Sequence, residues 1–285
     1  MSKLKVLITI AILLIVVGGI GSVFSYRIVA NTDTESVQKE EVNGENIVNI
    51  ELDVNNEQVE IIPTLGEMIT IELADNGSNS DTELIIEKNA DTLNIQTSNN
   101  YKLFSFNIFN WTRHLKVYVP NKMYHSLNIE IGNGGIVMND LSINDLYAET
   151  SNGEIDIADV EAKHSEMRTN NGKIKLKNIN TETIQLSTNN GKIEMEQIDG
   201  TIIGKTDNGA ISLVTDNLDR SIELQSHNGS INVKTDNEPT NVTFDTNVHN
   251  GKINLFNDPN WPSVIGNGDH LIKLSTHNGS ITVNE

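Results

Sequence analysis

The sequence predicts an all-β protein and, within that class, a β-solenoid (parallel β-helix-like) of about eight 19-residue coils. Apolar residues occupy every second position in segments such as IVNIELDV (47–54), MITIELAD (68–75) and LKVYVP (115–120), which is the period of a β-strand. A series of eight Asn-Gly dipeptides begins at residue 133, with three spacings of 19 residues followed by spacings of 18, 20, 22 and 28. No convincing amphipathic helix follows residue 30, so helices are not expected in the folded part.

Each Asn-Gly pair is expected to form a corner between two strands of one coil. Asn and Gly tolerate left-handed backbone conformations better than other residues, which favours them at a sharp change of direction. Stacking would place Asn over Asn along the axis, while Ile, Leu and Met fill the interior. The predicted corner residues are Asn152, Gly153, Asn171, Gly172, Asn190, Gly191, Asn208, Gly209, Asn228, Gly229, Asn250, Gly251, Asn278 and Gly279.

A meander of β-hairpins is the alternative architecture, because Asn-Gly also favours the type I′ hairpin turn. A meander needs a second turn of equal strength in each repeat, yet the intervening segments KNINTET, EQIDGT and DNLDR differ from one another. The near-constant period therefore favours a solenoid over 131–285, with an N-terminal β region over 47–130 that caps it.

The N-terminus predicts a membrane anchor. The run 6–26 lacks charged residues, and at about 1.5 Å per residue it is long enough to cross a hydrocarbon core of about 30 Å. Lys3 and Lys5 precede the run, so we expect residues 1–5 in the cytoplasm and the folded part outside the bacterial cell membrane, as in a single-pass protein. A cleaved signal peptide ending near SVFS is the alternative. The polar, acidic residues 27–46 predict a flexible stem.

The charge of the chain bears on its partners. Three basic residues and no acidic residue precede residue 28, so the remainder, with 17 basic and 39 acidic residues, carries a net charge of −22. Such a field repels nucleic acid and anionic lipid, so neither is an expected ligand of the folded part. The chain has no cysteine, which excludes disulfides, thiolate metal sites and cysteine nucleophiles.

The segment LKVYVPNKMYHSLNIEIGNGGI (115–136) and the units SNGEIDI, NNGKIKL and DNGAISL that follow it carry a family resemblance. They resemble a bacterial family of membrane-anchored β-strand-repeat proteins labelled putative adhesins, which includes LiaG-like members. The resemblance covers about 43–285 and implies a β-repeat fold in the cell envelope. The family is a domain of unknown function, so the resemblance implies no catalytic residue and no cofactor.

Three histidines form a candidate metal site. His227, His249 and His277 each precede an Asn-Gly pair in the last three repeats, so stacking would bring their rings within about 5 to 10 Å of one another. Converging imidazoles could bind zinc, copper or nickel. Earlier repeats hold Ser, Asn or Asp at this position, which favours an ordinary corner residue over a metal ligand. If the rings stack, acidification should charge them and loosen that end of the solenoid.

Two aromatic segments are candidate ligand-binding surfaces. The segment YKLFSFNIFNW (101–111) suits a carbohydrate or protein contact, but it suits equally a cap over the first coil, which we favour. The long last repeat, NDPNWPSVIGNGDH (257–270), carries an isolated Trp in either a recognition loop or a lid. The candidate ligand-binding residues are Tyr101, Phe104, Phe106, Phe109, Trp111 and Trp261.

Motifs for catalysis are absent from the sequence. It contains no G-x-S-x-G, H-E-x-x-H or phosphate-binding glycine-rich motif, and only three arginines follow the stem. We therefore expect a non-enzymatic, extracytoplasmic β-repeat protein that acts as an adhesin-like binding module or an envelope-stress accessory. Its expected partners are the cytoplasmic membrane, through the N-terminal helix, and an envelope protein or glycan. The alternatives are a polysaccharide-processing enzyme on a β-helix and a structural stalk that forms homo-oligomers through the solenoid ends.

Overall fold

The structure is a computed structural model, and it describes residues 36–75, 82–99 and 113–285. All helix and strand assignments within these ranges are β-strands, so the all-β prediction is confirmed. The described ranges contain no helix with the length and apolar character needed to span a bilayer. The predicted anchor 6–26 and the aromatic segment 101–111 lie outside the described residues.

The strands in chain order are β1 (Ser36–Asn43), β2 (Asn49–Val54), β3 (Glu57–Thr64), β4 (Met68–Asp75), β5 (Thr82–Asn89), β6 (Thr92–Asn99), β7 (Arg113–Pro120), β8 (Met123–Asn133), β9 (Ile136–Asn139), β10 (Ser142–Asn152), β11 (Ile155–Thr169), β12 (Ile174–Asn180), β13 (Thr183–Thr188), β14 (Ile193–Ile198), β15 (Thr201–Asn208), β16 (Ile211–Thr215), β17 (Ile222–Asn228), β18 (Ile231–Thr235), β19 (Val242–Asn250), β20 (Ile253–Leu255), β21 (Val264–Ile265), β22 (His270–Asn278) and β23 (Ile281–Asn284).

Each repeat forms one layer, which consists of a strand, an Asn-Gly corner and a second strand. The layers stack in parallel, so the strands build two ladders that share the long strand β11. The first ladder runs through β5, β6, β2, β8, β10, β11, β13, β15, β17, β22, β19 and β21. The second ladder runs through β1, β4, β7, β3, β9, β11, β12, β14, β16, β18, β23 and β20.

The N-terminal region continues the same stack. Strands β2 and β3 pair in parallel with β8 and β9, and β6 and β7 pair in parallel with β2 and β3. The ladders therefore run across residue 131 without a break. Antiparallel strands β5, β4 and β1 then complete this end.

Part of the predicted stem is a strand. Residues Ser36–Asn43 pair with β4 along their whole length, from Ser36 opposite Asp75 to Asn43 opposite Met68. Backbone hydrogen bonds to an existing sheet hold this polar segment in place although it has little apolar surface of its own. The expectation of a flexible stem over 27–46 is therefore wrong for Ser36–Asn43.

The spatial order of the layers departs from their order in the chain. The layer formed by β22 and β23 lies between the layer of β17 and β18 and the layer of β19 and β20, and it pairs with both. No strand of the β19–β20 layer pairs with β17 or β18. The layer of β19 and β20, rather than the last one in the chain, therefore stands at this end of the stack.

The predicted inward-facing residues form the core. The first apolar residue after each Asn-Gly corner is fully buried in seven consecutive layers, as for Ile155, Ile174 and Ile281. Burying one Ile or Leu side chain contributes about 1.5 to 3 kcal/mol, and the stacked columns repeat this gain in every layer. Ile253 is the exception at 44% exposed, because its layer is the last in the stack.

The corners use asparagine and glycine for a reason that differs from the expected one. The described non-glycine residues with positive φ do not include any corner asparagine, so left-handed asparagine is not what makes these turns. Glycine is needed for space: a Cβ atom on Gly172 would lie 1.7 Å from the carbonyl oxygen of Gly153 in the neighbouring layer. The left-handed residues instead mark the opposite corner of the layer, at Asp140, Asp159, Asn178 and Gln197.

Candidate binding site at the histidine column

The corner asparagines form a continuous hydrogen-bonded ladder. Each side-chain Nδ2 donates to the Oδ1 of the asparagine in the adjacent layer at 2.7–2.9 Å. The bonds all point the same way, so interior members both donate and accept. In spatial order the asparagine ladder comprises Asn56, Asn133, Asn152, Asn171, Asn190, Asn208, Asn228, Asn278 and Asn250.

A second ladder lies inside the first. The residue two positions before the corner asparagine is Thr or Ser in six layers, and its hydroxyl donates to the glycine carbonyl of the adjacent layer at 2.8–3.2 Å. Thr188, for example, donates to Gly172 and is 3% exposed. The repeat signature is therefore Thr/Ser-x-Asn-Gly. Its Thr or Ser hydroxyl supplies a hydrogen-bond donor to the glycine carbonyl at the corner of the adjacent layer.

The position between these two ladders carries the histidine column. His227 stacks on His277 with a centroid distance of 4.9 Å and an interplanar angle of 1°. His277 stacks in turn on His249 at 4.5 Å and 9°. The inserted layer therefore places His277 in the middle, although it is last in the chain. Register puts Asp207 next to His227 in the preceding layer.

The histidine column forms one wall of a shallow groove on the first ladder, which we call the histidine groove. It has a volume of about 350 Å³ and is lined chiefly by Gln225, His227, Asn247, His249, Ser275 and His277. Amide, hydroxyl and imidazole groups thus converge on one open surface, and each of them can donate or accept hydrogen bonds.

Charged residues border the groove in the row beyond Gln225 and Ser275. The carboxylate of Glu223 lies 3.6 Å from the ammonium of Lys273 and 3.8 Å from that of Lys205. These groups are largely exposed, so each pair adds little to stability. Their effect is to balance the charge at the edge of an otherwise acidic molecule.

The stacked geometry gives the predicted metal site no support. Ring nitrogens lie in the planes of their rings, so face-to-face imidazoles direct their nitrogens side by side rather than toward one ion. The described residues contain no group of three or more His, Asp or Glu side chains in an arrangement that could hold a metal ion. The prediction that acidification loosens this end remains a prediction.

A second groove of about 300 Å³ crosses the first ladder farther toward the N-terminal end, near Tyr147. Burial, reinforced by a hydrogen bond from its hydroxyl to Glu149, raises the pKa of Tyr147 to about 12. Arg168 donates to Glu166 in the same region. These side chains are hydrogen-bonded to one another. The polar side chains of the histidine groove are therefore better placed to bind a ligand.

Trp261, a candidate ligand-binding residue in what the sequence predicts to be either a recognition loop or a lid, packs over the terminal layer. Its indole stacks on Phe256 at 4.1 Å, and Phe256 meets Phe244 edge-on at 6.4 Å. Trp261 packs against the core, and its buried Nε1 has no hydrogen-bond partner among the residues that the structure describes. This placement suits a lid, because the aromatic cluster covers the interior side chains of the last layer.

Carboxylates on the outer face of the second ladder are paired with lysines. Asp156 accepts a hydrogen bond from Lys175 at 2.8 Å, and Glu196 lies 2.8 Å from Lys177. Hydrogen bonds from two lysines lower the pKa of Glu194. Paired carboxylates of this kind differ from the two opposed carboxyl groups that glycoside hydrolysis requires.

Sequence reasoning missed three parts of this arrangement. The Thr/Ser position could have been found from the sequence, because Thr or Ser recurs two places before the asparagine in six repeats. The first ladder member, Asn56, is followed by Glu instead of Gly, so the Asn-Gly pattern does not include it. The layer order had no signal, because the last three repeats share the triplet His-Asn-Gly.

Three solved structures are similar to this chain to different extents. A crystal structure of a putative adhesin from Bacteroides fragilis NCTC 9343 is 12% identical, covers 88% of this chain and 98% of its own, and gives a TM-score of 0.52. A putative cell adhesion protein from Clostridium sporogenes ATCC 15579 is 12% identical over 88% of this chain and 99% of its own, with a TM-score of 0.27. A putative lipid binding protein from Parabacteroides distasonis ATCC 8503 is 16% identical over 88% and 97%, with a TM-score of 0.42.

Of the three, only the first is similar enough to indicate a shared fold, and its low identity supports the fold alone. No curated protein matches the sequence. The model of the Toastrack DUF4097 family matches residues 47–284, which include every strand of the stack except β1. The chain therefore belongs to the Toastrack DUF4097 family.

Proposed function

We propose that the chain is a non-enzymatic, adhesin-like binding module of the bacterial cell envelope, held outside the cytoplasmic membrane by the segment 6–26. We further propose that the histidine groove is its ligand-binding surface. One observation carries this proposal: in the histidine groove, three stacked imidazoles line an open polar surface, whereas the same position in the earlier Asn-Gly layers holds Gly, Ser, Asn or Asp.

The chemistry of the groove favours a glycan ligand. Its side chains offer neutral donors and acceptors that match sugar hydroxyls, and its exposed imidazole edges add further hydrogen-bonding positions. The net charge of −22 in the exported part disfavours polyanionic polymers. A neutral or cationic envelope polysaccharide therefore fits better than a teichoic-type polyphosphate.

A binding experiment tests the groove. The fragment 36–285, which keeps β1 intact, is immobilised and exposed to neutral glycans released from bacterial envelopes. We expect His277→Asn to weaken binding by removing the middle ring, since Asn already occupies this position at Asn170 and Asn189 and the fold should tolerate it. Asn189→Ser, a change on the same column outside the groove, is the matched control and should bind like wild type.

Equal glycan binding by wild type and His277→Asn would contradict the assignment of the groove. Absence of any glycan or envelope-protein binding to wild type would contradict the proposed function itself. Turnover of the glycan during the assay would favour the polysaccharide-processing alternative instead.

The orientation in the membrane is tested separately. Labelling intact cells with a membrane-impermeant lysine reagent should modify exposed residues such as Lys177 and Lys252 if the folded part is extracytoplasmic. Labelling that appears only after cell lysis would place the folded part in the cytoplasm and contradict this orientation.

The aromatic segment 101–111 remains a second predicted contact surface. The described strands on either side of it are β6, which ends at Asn99, and β7, which begins at Arg113 opposite Asp75. Trp111→Ala should weaken capture of the envelope ligand if the segment contacts it. Unchanged capture together with lower stability would favour the cap that we infer from sequence.

A further inference from the structure

Three corners of the stack share the same local sequence, His-Asn-Gly, at 227–229, 249–251 and 277–279. In such a sequence the backbone nitrogen of glycine can attack the side-chain amide carbon of asparagine. The new C–N bond closes a succinimide ring as the amide C–N bond breaks and ammonia leaves, and water then opens the ring to aspartate or isoaspartate. Because the three corners have the same His-Asn-Gly sequence, we expect any difference in their reactivity to come from the fold.

The side-chain amides of the three asparagines are held to different extents. Asn228 and Asn278 each donate one ladder hydrogen bond and accept another. Asn250, in the terminal layer, donates to Asn278 at 2.8 Å, and its own Oδ1 accepts no hydrogen bond among the described residues. Its amide group is therefore freer to rotate toward the backbone.

The attacking nitrogens also differ. Gly229 donates its N–H to the carbonyl of Asn278 at 2.9 Å, and Gly279 donates its N–H to the carbonyl of Asn250 at 3.0 Å. No layer lies beyond Gly251, and its N–H finds no acceptor in the part of the chain that the structure describes. Gly251 is exposed, whereas Gly229 and Gly279 are half-buried.

We propose that Asn250 is a site of spontaneous deamidation and that it reacts before Asn228 and Asn278 in the folded protein. At Asn228 and Asn278 the stack suppresses the reaction, because it engages both the side-chain amide that must react and the glycine N–H that must attack. The terminal layer lacks half of this protection.

The product should weaken the end of the stack. A carboxylate at position 250 cannot donate to the Oδ1 of Asn278, so a ladder bond is replaced by two opposed acceptors. An isoaspartate also adds a main-chain carbon at a corner where the layers already touch, since a Cβ on Gly251 would lie 1.7 Å from the Gly279 carbonyl oxygen. This strain falls beside His249 and therefore within the proposed binding groove.

The test is peptide mass spectrometry of the full chain in detergent, incubated folded in mildly alkaline buffer and, in parallel, in denaturant. Incubation continues until half of each His-Asn-Gly asparagine has converted in the denatured sample. We expect similar rates at the three sites in denaturant. In the folded chain we expect Asn250 to convert several-fold faster than the other two.

Conversion at Asn250 that is no faster than at Asn228 and Asn278 in the folded chain overturns the proposal, as does the absence of conversion at Asn250 over this period. Asn250→Asp provides a second measurement that does not depend on rates. It should raise hydrogen exchange in β19 and leave exchange in β13 unchanged, and unchanged exchange in both strands would contradict the inferred weakening.

Discussion

At the scale of single residues, glycine at the corners is a packing requirement. The sequence suggested that its conformational freedom mattered, and the dipeptide Asn-Gly supported that interpretation. The contact between Gly172 and the Gly153 carbonyl gives another reason, because neighbouring layers approach too closely for any Cβ. Such a close approach depends on which layers are neighbours, so it could not be recognised in one repeat alone.

Gly172→Ala should therefore be strongly destabilising. The added methyl would meet backbone rather than a movable side chain, so we expect a loss of about 3 kcal/mol or more, at the upper end of overpacking costs. Urea unfolding of the fragment 36–285 measures the change. Gly66→Ala is the matched control and should cost little, since its Cβ would have no neighbour nearer than 4.0 Å.

At the scale of the layer, the sequence predicted the strands, the corners and the inward-facing residues well. Alternating apolar positions fixed which side chains face the core, and the structure buries Ile174 and Leu176 as expected. The opposite corner could not be predicted, because its left-handed position is occupied by Asp, Asn or Gln in different repeats. A backbone conformation without a constant residue leaves no periodic signal.

The asparagine ladder predicts a difference between interior and terminal members. Asn190 donates to Asn171 and accepts from Asn208, so Asn190→Ala should cost about 1 to 2 kcal/mol. Asn250 makes a single ladder bond, so Asn250→Ala should cost about 0.5 to 1 kcal/mol. Equal costs in urea unfolding would show that the ladder bonds are not the source of the loss.

Asp219 predicts a pH dependence at the opposite corner. Burial raises the pKa of its carboxyl, but hydrogen bonds from Thr240 and Asn241 outweigh burial and lower the pKa overall. Because the pKa of Asp219 is lower in the folded than in the unfolded protein, its ionised carboxylate stabilises the fold at pH values above the unfolded-state pKa of about 3.9. This contribution disappears as the pH falls through the folded-state pKa.

Asp219→Asn should thus be less stable than wild type near neutral pH, and the difference should shrink in acid. Urea unfolding at about pH 7 and about pH 3 measures it. Asp236→Asn is the control, because the Asp236 carboxylate accepts no hydrogen bond from the described residues. A difference that stays constant with pH would contradict the role of the Asp219 charge.

At the scale of the molecule, each layer touches only its neighbours, so stability should be local. The sequence predicted stacked repeats and left a recognition loop or a lid open for the Trp-bearing segment, but it did not predict which layer that segment covers. That layer is β19 and β20, where Trp261, Phe256 and Phe244 close the interior. The β19–β20 layer is terminal because the β22–β23 layer lies between it and the rest of the stack. The sequence does not predict this order, because the last three repeats all carry the same His-Asn-Gly triplet.

Trp261→Ala should open this end of the stack alone. Since Trp261 is only half-buried, we expect a cost of about 2 to 3 kcal/mol, below that of a fully buried Trp. Hydrogen exchange should rise in β19 and β20 and remain unchanged in β10, which lies several layers away. A uniform rise along the chain would contradict this nearest-neighbour behaviour.

Because the last layer in the chain lies inside the stack, the layers cannot all pack in the order in which they are made. As the chain emerges outside the membrane, N-terminus first, each layer up to β17 and β18 can dock on the layer that emerged before it. Strands β19 and β20 emerge next, but the strands on which they pack, β22 and β23, have not yet crossed the membrane. Phe244 and its apolar neighbours therefore stay uncovered until about 30 more residues have emerged. A pause in export during that interval would expose more apolar surface than a pause earlier in the stack.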